Sequence, residues 1–166
     1  MKKAVICAVF SKDRSEVLLV KRRDIPVWVL PGGGIDAEET PENACIREVL
    51  EESGLQISIE RKVGEYTPIN KLTSFTHLYE AKVIGGFISS SSETTAAAFF
   101  PVNALPKMMP PPHPEWIQDA QTKEFIQRKL DAITYALFFR MLCKHPMLIG
   151  KFIAMRIRLF LEEKSS

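Results

Sequence analysis

Three glutamates with helical spacing are the residues of this sequence best suited to chemistry. Glu48, Glu51 and Glu52 are separated by three, four and one positions, which places their side chains on neighbouring parts of one helix face. Like charges at this spacing weaken an isolated helix by roughly a few tenths of a kcal/mol per pair. Clustered carboxylate oxygens suit Mg²⁺ or Mn²⁺, and Mg²⁺ commonly bridges substrate phosphates. The spacing therefore predicts a metal site that binds phosphate, and a solvated acidic face is the alternative.

A glycine run lies shortly before these glutamates. Residues 32–34 are all glycine and follow Pro31, so the backbone can turn tightly and its carbonyls can approach the same point as the carboxylates. A purely solvated acidic face explains neither the glycines nor the arginine, Arg47, that stands beside Glu48. The glycines therefore favour the metal-site interpretation.

The element that must position the glutamates is a helix predicted over residues 40–53. Thr40 suits the N-cap, Pro41 the first helical position, and Gly54 the position after the last turn. At 100° per residue, one face carries three apolar side chains, which we expect to meet the core: Ile46, Val49 and Leu50. The glutamates are expected on the opposite face.

The remaining pattern predicts strands before and after this helix and further helices at the end of the chain. A hairpin is expected over residues 4–10 and 17–20, a short strand over 27–30, and strands over 56–63 and 77–84. A proline-rich link over 108–114 precedes helices predicted over 115–129, 132–144 and 147–161. This order indicates a mixed α/β domain over residues 1–130 with a helical C-terminal extension over 131–166.

The segment from residue 33 to residue 55 resembles the signature of the Nudix hydrolase family, whose members include MutT-like proteins. The matching positions are Gly33, Glu39, Arg47, Glu48, Val49, Glu51, Glu52, Gly54 and Leu55. The resemblance implies a mixed sheet sandwiched between helices. It further implies that Glu48, Glu51, Glu52 and the carbonyl of Gly32 bind the metal, and that Arg47 and Glu39 orient the glutamates.

The reaction that the resemblance implies is hydrolysis of a diphosphate linkage in a nucleoside diphosphate bonded to another moiety. The base that activates the attacking water is either a glutamate of the signature or Glu93, which lies six residues before Phe99 in a segment similar to the family's later loop. Ala96 departs from that similarity, because family members often carry an acidic residue there, and Glu93 could simply be one charge in a surface loop. A catalytically silent nucleotide-binding module is a second hypothesis.

Several residues near the predicted site are candidates for substrate contact. Arg22 and Arg23 follow a strand and could contact phosphates, with a solvated strand end as the alternative. Trp28 could stack on a base, and packing within the strand layer is equally compatible with its position. These three residues are the predicted substrate-binding set.

Composition and the C-terminal pattern bear on partners and compartment. A formal net charge of +2 is too small to imply DNA binding, and three scattered cysteines without paired spacing favour a reducing cytoplasm. Cations interrupt the apolar residues over 137–161, which argues against a membrane-spanning helix. Packing on the domain, a homodimer contact and docking to a partner or a membrane surface are all open for this extension.

Overall fold

Residues 2–107, 109–131 and 134–135 are described by a computed structural model. The elements in chain order are β1 Lys3–Phe10, β2 Glu16–Arg22, β3 Trp28–Val29, β4 Gly32–Gly34, α1 Pro41–Ser53, β5 Leu55–Pro68, β6 Phe75–Gly86, β7 Thr94–Pro101, α2 His113–Gln121 and β8 Ile126–Leu130. The predicted hairpin, short strand, first helix and two later strands are all present, with shifted ends.

The strands form one mixed sheet in the order β3-β2-β1-β6-β5-β8, with β4 paired to β1 and β7 paired to β2. β1 is parallel to β6 and antiparallel to β2, to which it is paired at Phe10 and Val17. The other end of β1 is therefore available to β4, whose glycines pair with Ala4, Val5 and Ile6. This branching places the glycine run beside β1, an inner strand of the sheet.

Two apolar clusters lie on opposite faces of the sheet because successive strand residues point to opposite sides. In β1, Val5, Cys7 and Val9 belong to the cluster beneath α1, whereas Ala8 and Phe10 belong to the cluster beneath α2. Each helix contributes buried apolar side chains to its own cluster. The expected mixed sheet sandwiched between helices is confirmed.

Helix α1 begins and ends where its capping residues predict. The Thr40 side-chain oxygen accepts a hydrogen bond from the Asn43 N–H at 3.2 Å. Gly54 has a φ of 75°, in the left-handed region that favours glycine, and its N–H donates to the Leu50 carbonyl at 2.8 Å. Local sequence signals are therefore sufficient to define this helix.

The predicted core face of α1 is wrong. Ile46 and Leu50 are 37% and 45% exposed, and of the three expected core residues only Val49 is buried. The buried arc instead contains Ala44, Cys45, Glu48, Val49, Glu52 and Ser53. Because α1 also contacts β4 and β7, the strands on this side enclose two of the glutamates together with the apolar residues.

The helix predicted over residues 115–129 is confirmed only as far as Gln121, and its second half is wrong. The α2 helix ends at Gln121, and the chain then forms β8, which pairs in parallel with the end of β5, from Gly64↔Ile126 to Pro68↔Leu130. β8 satisfies backbone groups of β5 that would otherwise be left at an open edge. This pairing joins distant parts of the chain, so local periodicity carries no signal of it.

The C-terminal predictions fall almost wholly on residues for which nothing structural is described. Apart from residues 134 and 135, the helices predicted over 132–144 and 147–161 lie outside the described residues. In the part of the chain that the structure describes, no helix combines the length and apolar character needed to span a membrane.

Candidate active site

The glycines of β4 make room for the helix that carries the glutamates. A Cβ on Gly33 would lie 2.4 Å from Oε1 of Glu48, so any larger residue would displace that carboxylate. At Gly32, φ is 151° and a Cβ would lie 2.2 Å from the Val5 carbonyl oxygen. The two glycines thus allow both β1 and the Glu48 side chain to approach the same stretch of backbone.

Glu52 is the most enclosed of the three glutamates. It is 6% exposed, and its Oε2 accepts a hydrogen bond from the Gly32 N–H at 2.9 Å. Burial, together with the charges of Glu48 and Glu93, raises the pKa of Glu52 from 4.5 to about 7, despite the opposing effects of the Gly32 N–H and Arg22. The site therefore holds a carboxylate that lacks sufficient compensating positive charge.

Glu48 and Glu51 share one guanidinium. Nη1 of Arg47 donates to Oε1 of Glu48 at 2.9 Å and to Oε2 of Glu51 at 3.3 Å. Glu48 is buried, and burial raises the pKa of its carboxyl even though Arg47 opposes the shift. Glu51 is largely exposed, with 59% of its side chain accessible. The three glutamates thus combine two buried carboxylates with one that solvent can reach.

Arg47 also joins α1 to the loop before it. Its Nε and Nη2 donate to the two carboxylate oxygens of Glu39 at 3.0 and 2.9 Å, and Nη2 also donates to the Gly34 carbonyl at 3.1 Å. This forked pairing is the geometry that a guanidinium and a carboxylate favour. The arrangement agrees with an orienting role for both residues, which stays a prediction.

The loop that carries Glu93 is bonded to the C-terminal half of α1. The Thr94 hydroxyl donates to the Glu52 carbonyl at 2.7 Å, and the Ser89 N–H donates to the Ser53 carbonyl at 2.9 Å. The charge of Glu93 contributes to the raised pKa of both Glu48 and Glu52. The structure therefore brings Glu93 within electrostatic reach of the predicted metal ligands.

The two predicted phosphate-binding arginines have different surroundings. The Arg23 guanidinium donates to three backbone carbonyls of the Glu93 loop, those of Ser91, Ser92 and Thr94, at 2.9 to 3.1 Å. Arg22 pairs with Asp24 through Nε and Oδ1 at 2.9 Å, and its charge acts on Glu52. The Arg23 side chain thus supports the loop, whereas Arg22 is paired with Asp24 within electrostatic reach of Glu52.

Trp28 is half-buried at the start of β3. Its ring packs edge-on against Phe100, with ring centroids 4.7 Å apart, and the Lys21 ammonium lies 6.0 Å from its centroid. These contacts fit the packing alternative, and the incomplete burial leaves part of the side chain accessible. A base-stacking role for Trp28 stays a prediction.

Two residues that bond the backbone of the site and its entry were given no role from the sequence. Thr94 anchors the Glu93 loop, and Nδ1 of His113 accepts a hydrogen bond from the Leu30 N–H at 3.2 Å, just before the glycine run. Leu30 and His113 are 83 positions apart, so no local signal connects them.

The donor set suits a hard divalent cation. Oxygens of Glu48 and Glu52 lie beside the glycine backbone, and Glu51 shares the Arg47 guanidinium with Glu48. Carboxylate and carbonyl oxygens are the ligands that Mg²⁺ and Mn²⁺ prefer. Among the described residues, no three His, Cys, Asp or Glu side chains already surround a common point as metal ligands. Glu48 and Glu51 bond Arg47 while Glu52 bonds Gly32, so the carboxylates lie near one another without forming a closed cage.

Comparison with known proteins gives consistent relatives. A putative 8-oxo-dGTP diphosphatase of Bacillus subtilis (strain 168) is 35% identical over 108 residues, which cover 64% of this chain and 72% of that protein. An ADP-ribose pyrophosphatase of Methanocaldococcus jannaschii is 33% identical over 108 residues, which cover 60% of this chain and 62% of that protein.

Structural comparison agrees with the sequence relatives. The crystal structure of an ADP-ribose pyrophosphatase from Streptococcus suis superposes with a TM-score of 0.64 at 25% identity, covering 77% of this chain and 98% of that one. The family model for the NUDIX domain matches residues 1–120, well over half of the chain. With its acidic helix, glycine strand and mixed sheet in place, the chain belongs to the Nudix hydrolases and is an enzyme of that family.

Proposed function

We propose that this enzyme hydrolyses a diphosphate linkage in a nucleoside diphosphate bonded to a further group, by attack of water on phosphorus. The names of the relatives support this class, since one is named a putative 8-oxo-dGTP diphosphatase and two are named ADP-ribose pyrophosphatases. Nucleoside triphosphates and nucleotide sugars are therefore the two substrate classes to compare first.

The observation that carries the proposal is the enclosure of Glu48 and Glu52 against the glycine strand. Burying two carboxylates costs free energy unless a cation compensates them. We propose that Glu48, Glu51, Glu52 and the carbonyl of Gly32 hold Mg²⁺ or Mn²⁺. Such an ion, when bound, lowers the pKa of a coordinated water and neutralises phosphate charge.

Two carboxylates are candidates for the base that accepts the proton of the attacking water. Glu52 is buried and hydrogen-bonded to Gly32, whereas Glu93 is carried on a loop that Thr94 and Arg23 tie to the site. Arg22 is the better candidate of the two arginines for phosphate: it is paired with Asp24, but its charge reaches Glu52, whereas the Arg23 guanidinium bonds three carbonyls of the loop. Substituting Glu93 by Gln separates the two candidates, since removal of the base alters the pH profile of kcat.

The central experiment compares purified wild-type protein with Glu52→Gln on a panel of nucleoside triphosphates, nucleotide sugars and dinucleoside polyphosphates, with Mg²⁺ or Mn²⁺. We expect Glu52→Gln to lower kcat by about a hundredfold or more, because transition-state charge stabilisation of this kind is typically worth that much. The measurement is release of nucleoside monophosphate, phosphate or pyrophosphate.

Glu60→Gln is the matched control, because Glu60 is an exposed glutamate whose carboxylate lies 3.2 Å from the Lys82 ammonium, on β5 and away from the glycine strand. It should retain wild-type rates. Near-wild-type hydrolysis by Glu52→Gln would contradict the proposal, and nucleotide binding without product from the wild-type protein would favour the silent binding module.

A further inference from the structure

Three consecutive residues at the entry to β4 are each bonded to a different element. The Leu30 N–H donates to Nδ1 of His113 at 3.2 Å, the Pro31 carbonyl accepts from the Cys7 N–H at 2.9 Å, and the Gly32 N–H donates to Oε2 of Glu52 at 2.9 Å. The α2 helix, the central strand β1 and the α1 helix thus all determine where this short segment lies.

His113 is held firmly enough to act as a fixed acceptor. It is the first residue of α2, and its ring packs edge-on against Trp116 with centroids 5.0 Å apart. Trp116 is buried and packs in turn against Tyr66, whose hydroxyl donates to Asp119 of the same helix at 2.7 Å. The acceptor nitrogen is therefore positioned by the core beneath α2.

Leu30 depends on this acceptor because it is almost wholly buried, at 1% exposure. A buried backbone N–H needs a hydrogen-bond partner, and Nδ1 of a neutral imidazole provides one. Burial and the charge of Arg22 lower the pKa of His113 to about 3, so the ring stays a neutral acceptor at ordinary working pH.

We infer that His113 is a positioning residue, which holds Leu30 so that the Gly32 N–H can orient the Glu52 carboxylate. The inference rests on the proposed function only where Glu52 is taken as catalytic; the hydrogen-bonded link itself does not. Without the imidazole, the Leu30 N–H has to find another acceptor, and the entry to β4 shifts with it. A displacement of about 1 Å at a catalytic group can lower the rate by about a hundredfold.

The test uses the full-length protein with three substitutions. His113→Ala removes the acceptor, His113→Asn offers an amide oxygen close to the position of Nδ1, and Ile117→Val removes one methylene from another buried residue of α2. We expect His113→Ala to lower kcat by about tenfold or more with KM changed less than about twofold. His113→Asn should recover most of kcat, and Ile117→Val should lower Tm while leaving kcat unchanged.

Two further readouts do not depend on turnover. Amide hydrogen exchange at Gly32, followed by NMR, should accelerate in His113→Ala and return towards the wild-type rate in His113→Asn. Mn²⁺ binding, measured by calorimetry without substrate, should be weaker in His113→Ala than in the wild-type protein. His113→Asn should recover most of the affinity.

The outcomes distinguish a failure of the link from His113 through Leu30 and Gly32 to Glu52 from a failure of the proposed function. Unchanged exchange at Gly32 in a folded His113→Ala protein would overturn the link. A rise in KM alone would also overturn it, since that pattern indicates direct substrate contact. Accelerated exchange with unchanged kcat would leave the link standing and would count against Glu52 as a catalytic carboxylate.

Discussion

At the scale of single residues, the site is defined by how closely carboxylates and backbone approach. Glu52 lies against the Gly32 N–H, and Glu48 occupies the space that the missing side chain of Gly33 leaves. Both carboxyl groups have raised pKa values because burial disfavours their charge. The charge of Glu52 and the absence of a side chain at Gly33 can therefore each be tested by a single substitution.

Removing the Glu52 charge should stabilise the protein at high pH when divalent ions are chelated. The pKa of Glu52 is about 7 in the fold against 4.5 ordinarily, so its contribution to stability is present below about pH 4.5 and is lost as pH rises through 7. In EDTA, Glu52→Gln should therefore exceed wild type in free energy of unfolding by roughly 2–3 kcal/mol at pH 8 and by little at pH 4. Urea unfolding at the two pH values measures this, and equal differences at both would contradict it.

A methyl group at position 33 should disable the site while the neighbouring glycine tolerates one. Gly33→Ala places a Cβ 2.4 Å from Oε1 of Glu48, whereas a Cβ on Gly34 has no other atom within 4 Å. We expect kcat to fall by about tenfold or more in Gly33→Ala, since the carboxylate must move. Gly34→Ala is the control and should keep wild-type kcat. Equal activity of both variants would show that the Glu48 position is unimportant.

At the scale of elements, the active site depends on how α1 is tied to the segments around it. Arg47 and Glu39 connect it to the preceding loop, and Thr94 connects it to the start of β7. The Arg23 guanidinium then holds the loop between β6 and β7 from the other side. The position of the Glu93 loop is therefore determined by its hydrogen bonds to α1 and to Arg23.

Thr94→Val tests this attachment with little change in volume. The substitution removes a buried hydroxyl that donates to the Glu52 carbonyl and leaves that carbonyl without this donor, which costs about 1 kcal/mol in free energy of unfolding. Because one of the bonds that tie the Glu93 loop to α1 is lost, kcat should fall as well. Thr95→Val is the control, since its hydroxyl makes a longer, exposed contact of 3.3 Å with the Lys21 carbonyl. Identical stability and kcat for the two variants would refute the attachment.

At the scale of the whole molecule, the sheet divides the protein into a side that carries the glutamates and a side that α2 covers. β8 completes the second side: Leu130 is buried, and Arg128 pairs with Asp119 of α2 at 2.7 Å. The residues proposed for chemistry lie between positions 22 and 93, within the part that matches the family model. The division into a domain over 1–130 and an extension over 131–166 is a proposal that truncation can test.

A chain ending at residue 131 should keep wild-type kcat, because it retains β8 and every proposed site residue. A chain ending at residue 124 should unfold at a lower temperature, because it exposes the edge of β5 and loses the Arg128–Asp119 pair. Thermal unfolding and turnover of both chains check this. A large loss of kcat in the longer chain would show that residues 132–166 serve the reaction.

The sequence by itself determined the acidic helix, its caps, the mixed order of strands and helices, and the family. These depend on local signals, since capping residues act within one turn and the glutamate spacing is internal to one segment. The pairing of Arg47 with Glu39, eight residues apart, is implied by the family resemblance and agrees with the structure.

Only the tertiary structure decided which side of α1 is buried, that residues 126–130 form a strand, that His113 bonds Leu30, and that Thr94 bonds the Glu52 carbonyl. Ile46 and Leu50 match a helical apolar face, yet the packing of β4 and β7 encloses Glu48 and Glu52 in preference. His113 lies 83 residues from Leu30, and β8 pairs with a strand about 60 residues earlier in the chain. Such contacts form when distant segments meet to satisfy backbone hydrogen bonds and to bury surface, and local residue patterns carry no trace of them.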